Sequence, residues 1–264
     1  MIFSNLKSKC QYYRNLTDYR LMPNGYILVM IDGKNFSTLI KNKFEKPFDN
    51  WFIDAMNNVA KHLCKHIQNV VGAYVQSDEI SLVIKDNTHT STPFEGRMCK
   101  LLSIIPSIAT AYFMKQMVVK RLGDSAENIT STMEQMPDYV FDCKVWSVPS
   151  KNDAMAWFLY RQIDCIKNSK QQYCQTYLPH KKLLNLDTDS QVQLCLYDTG
   201  NDWNSISDDK KYGRILYKKE ETFYNDKGEP YTRSRWNIFS KSLTDDDFRN
   251  DLSSIWFADE ENYN

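Results

Sequence analysis

Tyr26-Ile27-Leu28-Val29-Met30-Ile31-Asp32-Gly33-Lys34-Asn35-Phe36 reads as an apolar strand that ends abruptly in Asp-Gly. A second apolar run, residues 70–75, is closed by Gln76-Ser77-Asp78-Glu79, and a third, residues 80–84, follows at once. Carboxylates at the ends of buried strands are costly unless a cation compensates them. A divalent metal held for phosphoryl transfer is the usual compensation.

Working outward, Pro23-Asn24-Gly25 makes a turn before the first strand, residues 26–31. A lysine-rich loop (Lys41, Lys43, Lys46) leads to Pro47-Phe48-Asp49. Phe52, Ala55, Met56, Val59, Ala60, Leu63 and Ile67 form one stripe, so the spacing predicts a helix over 50–68 with Asp49 as its N-cap. Residues 94–120 read as a long apolar helix bent near Pro106, 122–138 as a polar loop, and 139–148 as a fourth strand. Ser150-Lys151-Asn152-Asp153 resembles a capping box opening a helix over 151–173. One face of that helix is apolar. The neighbouring stripe Trp157, Arg161, Asp164, Asn168 reads on spacing alone as a solvent face. Residues 214–224 and 231–239, joined by Asn225-Asp226-Lys227-Gly228, read as a hairpin displaying Lys218, Lys219, Arg233 and Arg235.

The order β-α-β-β-α-β over 26–148 is the split βαβ, ferredoxin-like arrangement of an α/β (α+β) polymerase palm. It sets the end of strand 1 beside the turn between strands 2 and 3, so Asp32 and Asp78 become neighbours, as two-metal chemistry at about 4 Å requires. The expected division is a palm-like catalytic region over 1–150, a helix and basic hairpin region over 151–240, and an acidic, disordered tail over 241–264.

The chain has 264 residues, 42% of them hydrophobic and 13% aromatic, enough for one large domain or a domain with an added lobe. No apolar run approaches the ~20 residues of a membrane span, so no membrane partner is expected. The N-terminus lacks the apolar core of a signal peptide. Seven widely spaced cysteines without a CxxC suggest reduced thiols in a cytoplasmic or organellar compartment. Formal net charge is zero, but residues 241–264 set Lys241 and Arg249 against seven acidic residues, a net of −5 that leaves the body at +5. Such a body can bind a polyanion.

Nucleotidyl transfer needs positioned phosphates and neutralised charge rather than covalent help. Asp32 and Asp78 offer hard oxygens to Mg²⁺, and the Gly33 carbonyl can add another. The amides of Lys34, Asn35, Phe36 and Ser37 can cradle a triphosphate, and Lys46 can neutralise it. Each residue also has a plain reading: Asp-Gly as a turn, Asp78 as a solvated loop residue, Lys46 as surface, Asp49 as a cap. His62 and His66 form an HxxxH pair whose expected role is exposed and non-metal. Trp51, Phe52, Trp157 and Phe158 are expected in the core or an interface.

Together, Met30-Ile31-Asp32-Gly33-Lys34-Asn35-Phe36, Lys46-Pro47-x-Asp49, Tyr74-x-Gln76-Ser77-Asp78-Glu79, Phe141-Asp142-x-Lys144-Val145 and Arg161-Gln162-x-Asp164-Cys165 resemble the tRNA-histidine guanylyltransferase family and its guanylyltransferase-like 3′–5′ RNA polymerase relatives. The match runs in order over about residues 7–240. The resemblance implies an enzyme that activates a tRNA 5′ end with ATP or GTP and then adds a nucleotide there. It implies two Mg²⁺ on Asp32, Gly33 and Asp78, catalytic roles for Asp32, Asp78 and Glu79, and a nucleotide site from Asp32 to Ser37 with Lys46, Asp49, Ser77 and Asp78. A homo-tetramer is also implied, with Arg161, Asn168 and the hairpin cations as tRNA contacts. The sequence departs from the family at Met30 (usually Arg), at Cys143-Lys144 (usually Gly-Arg) and at Ile166-Lys167-Asn168-Ser169 (usually His-Ile-Asn-Asn). These departures favour templated repair of truncated tRNA 5′ ends over strict G addition to histidine tRNA. A nucleotide cyclase and a non-catalytic RNA-binding protein are the rivals.

Overall fold

The computed structural model describes residues 2–39, 43–86, 92–124 and 129–258. Its elements run α1 (Ile2–Asn15), β1 (Tyr26–Gly33), α2 (Phe36–Leu39), α3 (Asn50–His66), β2 (Val70–Gln76), β3 (Glu79–Lys85), α4 (Met98–Asp124), α5 (Ile129–Gln135) and β4 (Phe141–Val148). Then come α6 (Lys151–Tyr177), α7 (His180–Leu183), α8 (Thr188–Thr199), α9 (Asp208–Tyr212), β5 (Arg214–Tyr224), β6 (Pro230–Phe239) and α10 (Asp246–Trp256).

The strands form one antiparallel sheet in the order β4-β1-β3-β2-β5-β6. The first four positions are the expected ferredoxin-like order. The hairpin β5–β6 extends the same sheet from β2, with Val75 opposite Arg214 and Gly72 opposite Tyr217. Alternation along β1 sorts the core into two layers. Ile27, Val29 and Ile31 face α3 and α4, where Phe36, Phe52, Phe113, Tyr139 and Phe141 interlock. Leu28 faces the other way, against α6 and α10, with Tyr74, Val83, Phe158 and Trp256.

The helix starts follow their caps. Asp49 accepts from the Phe52 amide at 2.8 Å, and Ser150 accepts from the Asp153 amide at 3.2 Å. Pro106 lies inside a continuous α4. By length and composition α4 would serve as a membrane span, which corrects the expectation that no such segment exists. Its stripe of Leu101, Ile105, Ala109, Phe113 and Met117 packs into the core. The polar stretch 122–138 contains α5, and Met136 just beyond it is buried beside Tyr139.

The acidic tail is a second correction. Residues 246–256 fold as α10, capped by Asp245, and Trp256 lies across β2 with its indole nitrogen donating to the Leu216 carbonyl at 3.0 Å. Only glycine fits beneath it: a Cβ on Gly72 would come 2.1 Å from the Trp256 ring. The charges of the tail occupy the outer side of an amphipathic helix, so composition alone misread it as unfolded. Residues 259–264 lie outside those described.

Candidate active site

Antiparallel pairing places Glu79 and Asp142 on either side of Asp32, opposite it in register. Directly paired residues project from the same face, here the α6 face. Asp78 enters from the two-residue turn between β2 and β3. Ser77 takes a φ of 44°, at the first central position, where tight hairpins favour Gly. The Gly33 amide donates to the Asp78 carbonyl at 3.2 Å, pinning that turn to the end of β1. Gly33 also needs its missing side chain, since a Cβ there would sit 2.5 Å from the Phe36 ring. Asp32 and Asp78, 46 positions apart in sequence, are thereby brought to one place.

Their electrostatics record the crowding. Burial, then the charges of Asp78, Glu79 and Asp142, push the half-buried Asp32 carboxyl up to about 6, against a smaller opposing pull from Lys144. Burial also raises Asp78, with a hydrogen bond from Ser77 opposing it. Among the described residues, no three His, Cys, Asp or Glu side chains converge to hold a metal by themselves. Mg²⁺ commonly takes only one or two carboxylates, with water and substrate phosphates completing its shell. Two mutually repelling, partly desolvated carboxylates beside a backbone carbonyl fit that demand.

Glu79 behaves differently from the two aspartates. Both its oxygens are taken by Arg161, at 2.8 Å from Nε and 2.6 Å from Nη2, and both residues are buried. Asp164 accepts from the same guanidinium at 3.1 Å, while Trp157 and Tyr160 flank it. Trp157 in turn donates to Ser81 on β3 at 3.2 Å. Two residues of the stripe read as a solvent face, Trp157 and Arg161, are therefore contacts by which α6 sits on the sheet, while Asn168 at its far end is exposed as expected. Period alone could not distinguish these cases, because the partner carboxylate lies 82 positions away. Arg161 is withdrawn from the expected tRNA contacts, and Glu79 becomes a buried positioning group beside Asp32.

The Phe36 side chain is a core residue, 1% exposed, which leaves the expectation for its amide as it was. Two other expected nucleotide contacts change. The Lys34 amide donates to the Val140 carbonyl at 2.9 Å. Both Asp49 oxygens are engaged by backbone amides, those of Phe52 and, at 2.9 Å, Glu45, so Asp49 orders the loop. The side chains of Lys34 and Asn35 are exposed. Ser37, Lys46, Ser77, Asp78 and Asn168 do line one open cleft of about 580 Å³. A smaller chamber of about 110 Å³ adjoins it, sharing Ser77 and Asn168 and walled by Phe44, Phe48, Phe52 and Arg214. Arg214 carried no sequence signal beyond its place after Gly213.

Lys218, Lys219, Arg233 and Arg235 are exposed on the hairpin, outside this cleft. Lys218 lies over Trp236, Arg233 over Tyr231 and Arg235 over Phe223. A groove of about 640 Å³ joins Lys218 and Arg235 to Lys61 and Lys65 of α3, with no acidic residue in its lining. The two lysines escaped the sequence reading because they belong to the polar side of an ordinary amphipathic helix. His62 stacks on Tyr112, with the His66 ring tilted against it at 3.9 Å.

This sheet order, with two aspartates at adjoining strand ends and one of them lining an open cleft, defines a palm of the nucleotidyl-transfer class. A family model described as Thg1, tRNAHis guanylyltransferase, matches residues 8–149, and the chain belongs to that family of nucleotidyltransferases. It is 29% identical over 245 residues to an uncharacterized protein of Acanthamoeba polyphaga mimivirus, covering 87% of this chain and 82% of that one. It is 27% identical to tRNA(His) guanylyltransferase 1 of Arabidopsis thaliana over 94% of this chain, but spans only 45% of that enzyme's length. The solved structure of a bacterial tRNA(His) guanylyltransferase (Thg1)-like protein in complex with ATP superposes with a TM-score of 0.79 at 27% identity, covering 94% of this chain and 98% of that one. A structure of such a protein with GTP gives 0.73 at 25% identity, covering 96% and 99%.

Proposed function

We propose that this protein is an Mg²⁺-dependent nucleotidyltransferase that extends the 5′ end of tRNA in the 3′–5′ direction, repairing truncated ends against a template. The observation that carries this reading is that Asp32 sits beside Asp78, which lines the cleft, with the Asp32 carboxyl raised by burial and by its acidic neighbours. Asp32, Asp78 and the Gly33 carbonyl would hold the metal ions, which supply charge neutralisation at the transferring phosphorus. Ser37, Ser77 and Lys46 line the place for the triphosphate, and Lys46 offsets its charge. The relatives solved with ATP and GTP support a nucleoside triphosphate as the substrate there.

The departures from the family pattern support repair over strict histidine-tRNA specificity. Ser169, where the family has Asn, is buried and donates to the Lys210 carbonyl at 2.7 Å while accepting from Trp203 at 2.9 Å. Ile166 packs against the cluster around Tyr173 and Trp203. Both positions serve packing between α6 and the segments after it.

The direct test is to incubate the protein with Mg²⁺, all four triphosphates and a 5′-monophosphate tRNA lacking its first nucleotide, then size the 5′ product. Template-matched extension is expected. Addition of a lone G to histidine tRNA only, or a cyclic nucleotide without RNA, would overturn the repair reading.

The hairpin and the groove beside it are the expected tRNA surface. Replacing Lys61, Lys65, Lys218 and Arg235 with Ala should weaken tRNA binding and flatten the dependence of log K on log salt by about 0.7–0.9 for each phosphate no longer neutralised. Filter binding at several salt concentrations reads this, and an unchanged slope would remove the groove from the interface. Homo-tetramer assembly belongs to the same reading. It is supported by Leu6, Tyr12, Tyr13 and Leu16, which stand exposed on and beside α1, and light scattering measures it. A reducing cytoplasmic or organellar compartment suits the seven free cysteines.

A further inference from the structure

Another cavity opens on the helical layer, on the side of the sheet away from α6. Trp51 of α3 and Tyr112 of α4, with Lys115, Gln116, Val119 and Lys120, line an open cup of about 300 Å³, and none of these lining residues is acidic. Small-ligand sites begin at about this size. Gln116 joins the two helices, donating to the Ala55 carbonyl at 3.1 Å and accepting from Asn58 at 3.2 Å. Trp51 stacks on Phe44, which lines the nucleotide cleft, so the cup backs onto the cleft wall. Lys120 lies over the Trp51 ring. Tyr112 stacks on His62 with 15° between the rings. Burial, then the charges of His66, Lys115 and Lys65, hold the His62 imidazole below its usual value, so the ring is neutral at pH 7. Lys65 also lines the groove beside the hairpin, with Lys61, Lys218 and Arg235. His62 thus lies between a lysine of the cup and a lysine of the groove, and the two cavities join into one cationic track. Trp51 and Lys65 are about 21 Å apart along α3.

We propose that this face binds the unpaired 3′ strand of the tRNA acceptor end, with one base stacked in the cup and the strand's phosphates beside Lys115 and Lys65. This rests on the tRNA reading above. Flat rings beside cations suit a single strand, whose bases stack on the aromatics while its backbone follows the charge. A duplex keeps its bases stacked on one another and has none to place in a cup. The 3′ strand is the unpaired segment nearest to the reacting 5′ end, because it continues the acceptor stem from the opposite strand. With the 5′ end at the cleft, that strand emerges beside Trp51, whose neighbour Phe44 is part of the cleft wall.

Binding of two RNAs tests this on the full chain: a 5′-monophosphate tRNA, and the same tRNA trimmed of its unpaired 3′ strand. Each is measured against the wild type, Trp51→Leu and Lys115→Ala at one salt concentration. The wild type should bind the complete tRNA about tenfold more tightly than the trimmed one, the scale that one stacked base supplies. Trp51→Leu should erase that difference and Lys115→Ala should shrink it at least threefold, with trimmed tRNA bound within twofold of wild type by both. 2-Aminopurine placed in the 3′ strand should lose fluorescence on binding the wild type and keep it with Trp51→Leu. Equal binding of complete and trimmed tRNA by the wild type, or a difference that survives both variants, would overturn the proposal and leave the tRNA reading standing. Failure of both RNAs to bind would overturn the tRNA reading as well. If the variants change the assembly mass in light scattering while the RNA difference persists, the face is an interface between copies and the proposal falls. If Trp51→Leu does not fold, Lys115→Ala, at an exposed position, decides.

Discussion

Replacing Asp32 or Asp78 with Asn should lower nucleotide addition by about 10³-fold or more, equivalent to about 4 kcal/mol of lost transition-state stabilisation. The fold should not suffer. The native carboxyl of Asp32 is pushed up to about 6 by burial and by Asp78, Glu79 and Asp142, so its ionised form opposes folding. The native state then binds more protons than the unfolded state between the ordinary aspartate value near 4 and about 6. Wild-type stability therefore falls as pH rises through that window in metal-free buffer. Asp32→Asn should be more stable than the wild type at pH 7.5 by about 1 kcal/mol, after allowance for a half-exposed group. That corresponds to about 2–4 °C in Tm, and the difference should vanish near pH 4. Added Mg²⁺ should raise Tm in the wild type and not in the variant. Activity runs the other way with pH, declining below about 6 as Asp32 takes up its proton, and higher Mg²⁺ should move that decline to lower pH. Retained activity in both variants would remove the metal assignment.

Replacing Arg161 with Met should destabilise the protein by about 3–5 kcal/mol, because it strands the buried Glu79 carboxylate. For a chain of this size that is on the order of 10 °C in Tm. A second change, Glu79→Gln on top of Arg161→Met, should recover most of the loss, since removing both charges of a buried pair is often nearly neutral. Urea denaturation of the four members of this cycle measures the coupling. Arg161 also balances charge beside Asp32, which pairs directly with Glu79. In Arg161→Met the acid decline of activity should move upward in pH. A loss under 1 kcal/mol with an unshifted decline would show that Glu79 finds another partner.

Much of the palm was legible because its signals are local. Apolar runs at 26–31, 70–75 and 80–84, the stripe from Phe52 to Ile67, and caps at Asp49 and Ser150 each depend on residues within a turn or two, and all appear in the structure nearly as read. Asp32 and Asp78 could be paired because the βαββαβ order dictates which strand ends adjoin. The errors fall where a residue's surroundings come from distant segments. Trp157 and Arg161 recur at the spacing of a solvent stripe, yet Ser81 and Glu79 of β3 hold them against the sheet. Asp246, Asp247 and Asp251 gave the C-terminal segment a disordered composition, while Leu252 and Trp256 on its other side anchor it.

The sequence by itself determined the elements of the palm, the family to which the chain belongs and the two aspartates at the strand ends, because period, caps and motif spacing act over short stretches of chain. Only the tertiary structure decided which charges are paired and which are left over. Glu79 and Arg161 are 82 positions apart, Asn57 and Arg214 are 157 apart, and Lys61 meets Arg235 only when α3 packs beside the hairpin. An ionisable side chain takes its protonation, its partner and its availability to substrate from whatever the fold sets within a few ångströms of it, and no local pattern encodes that.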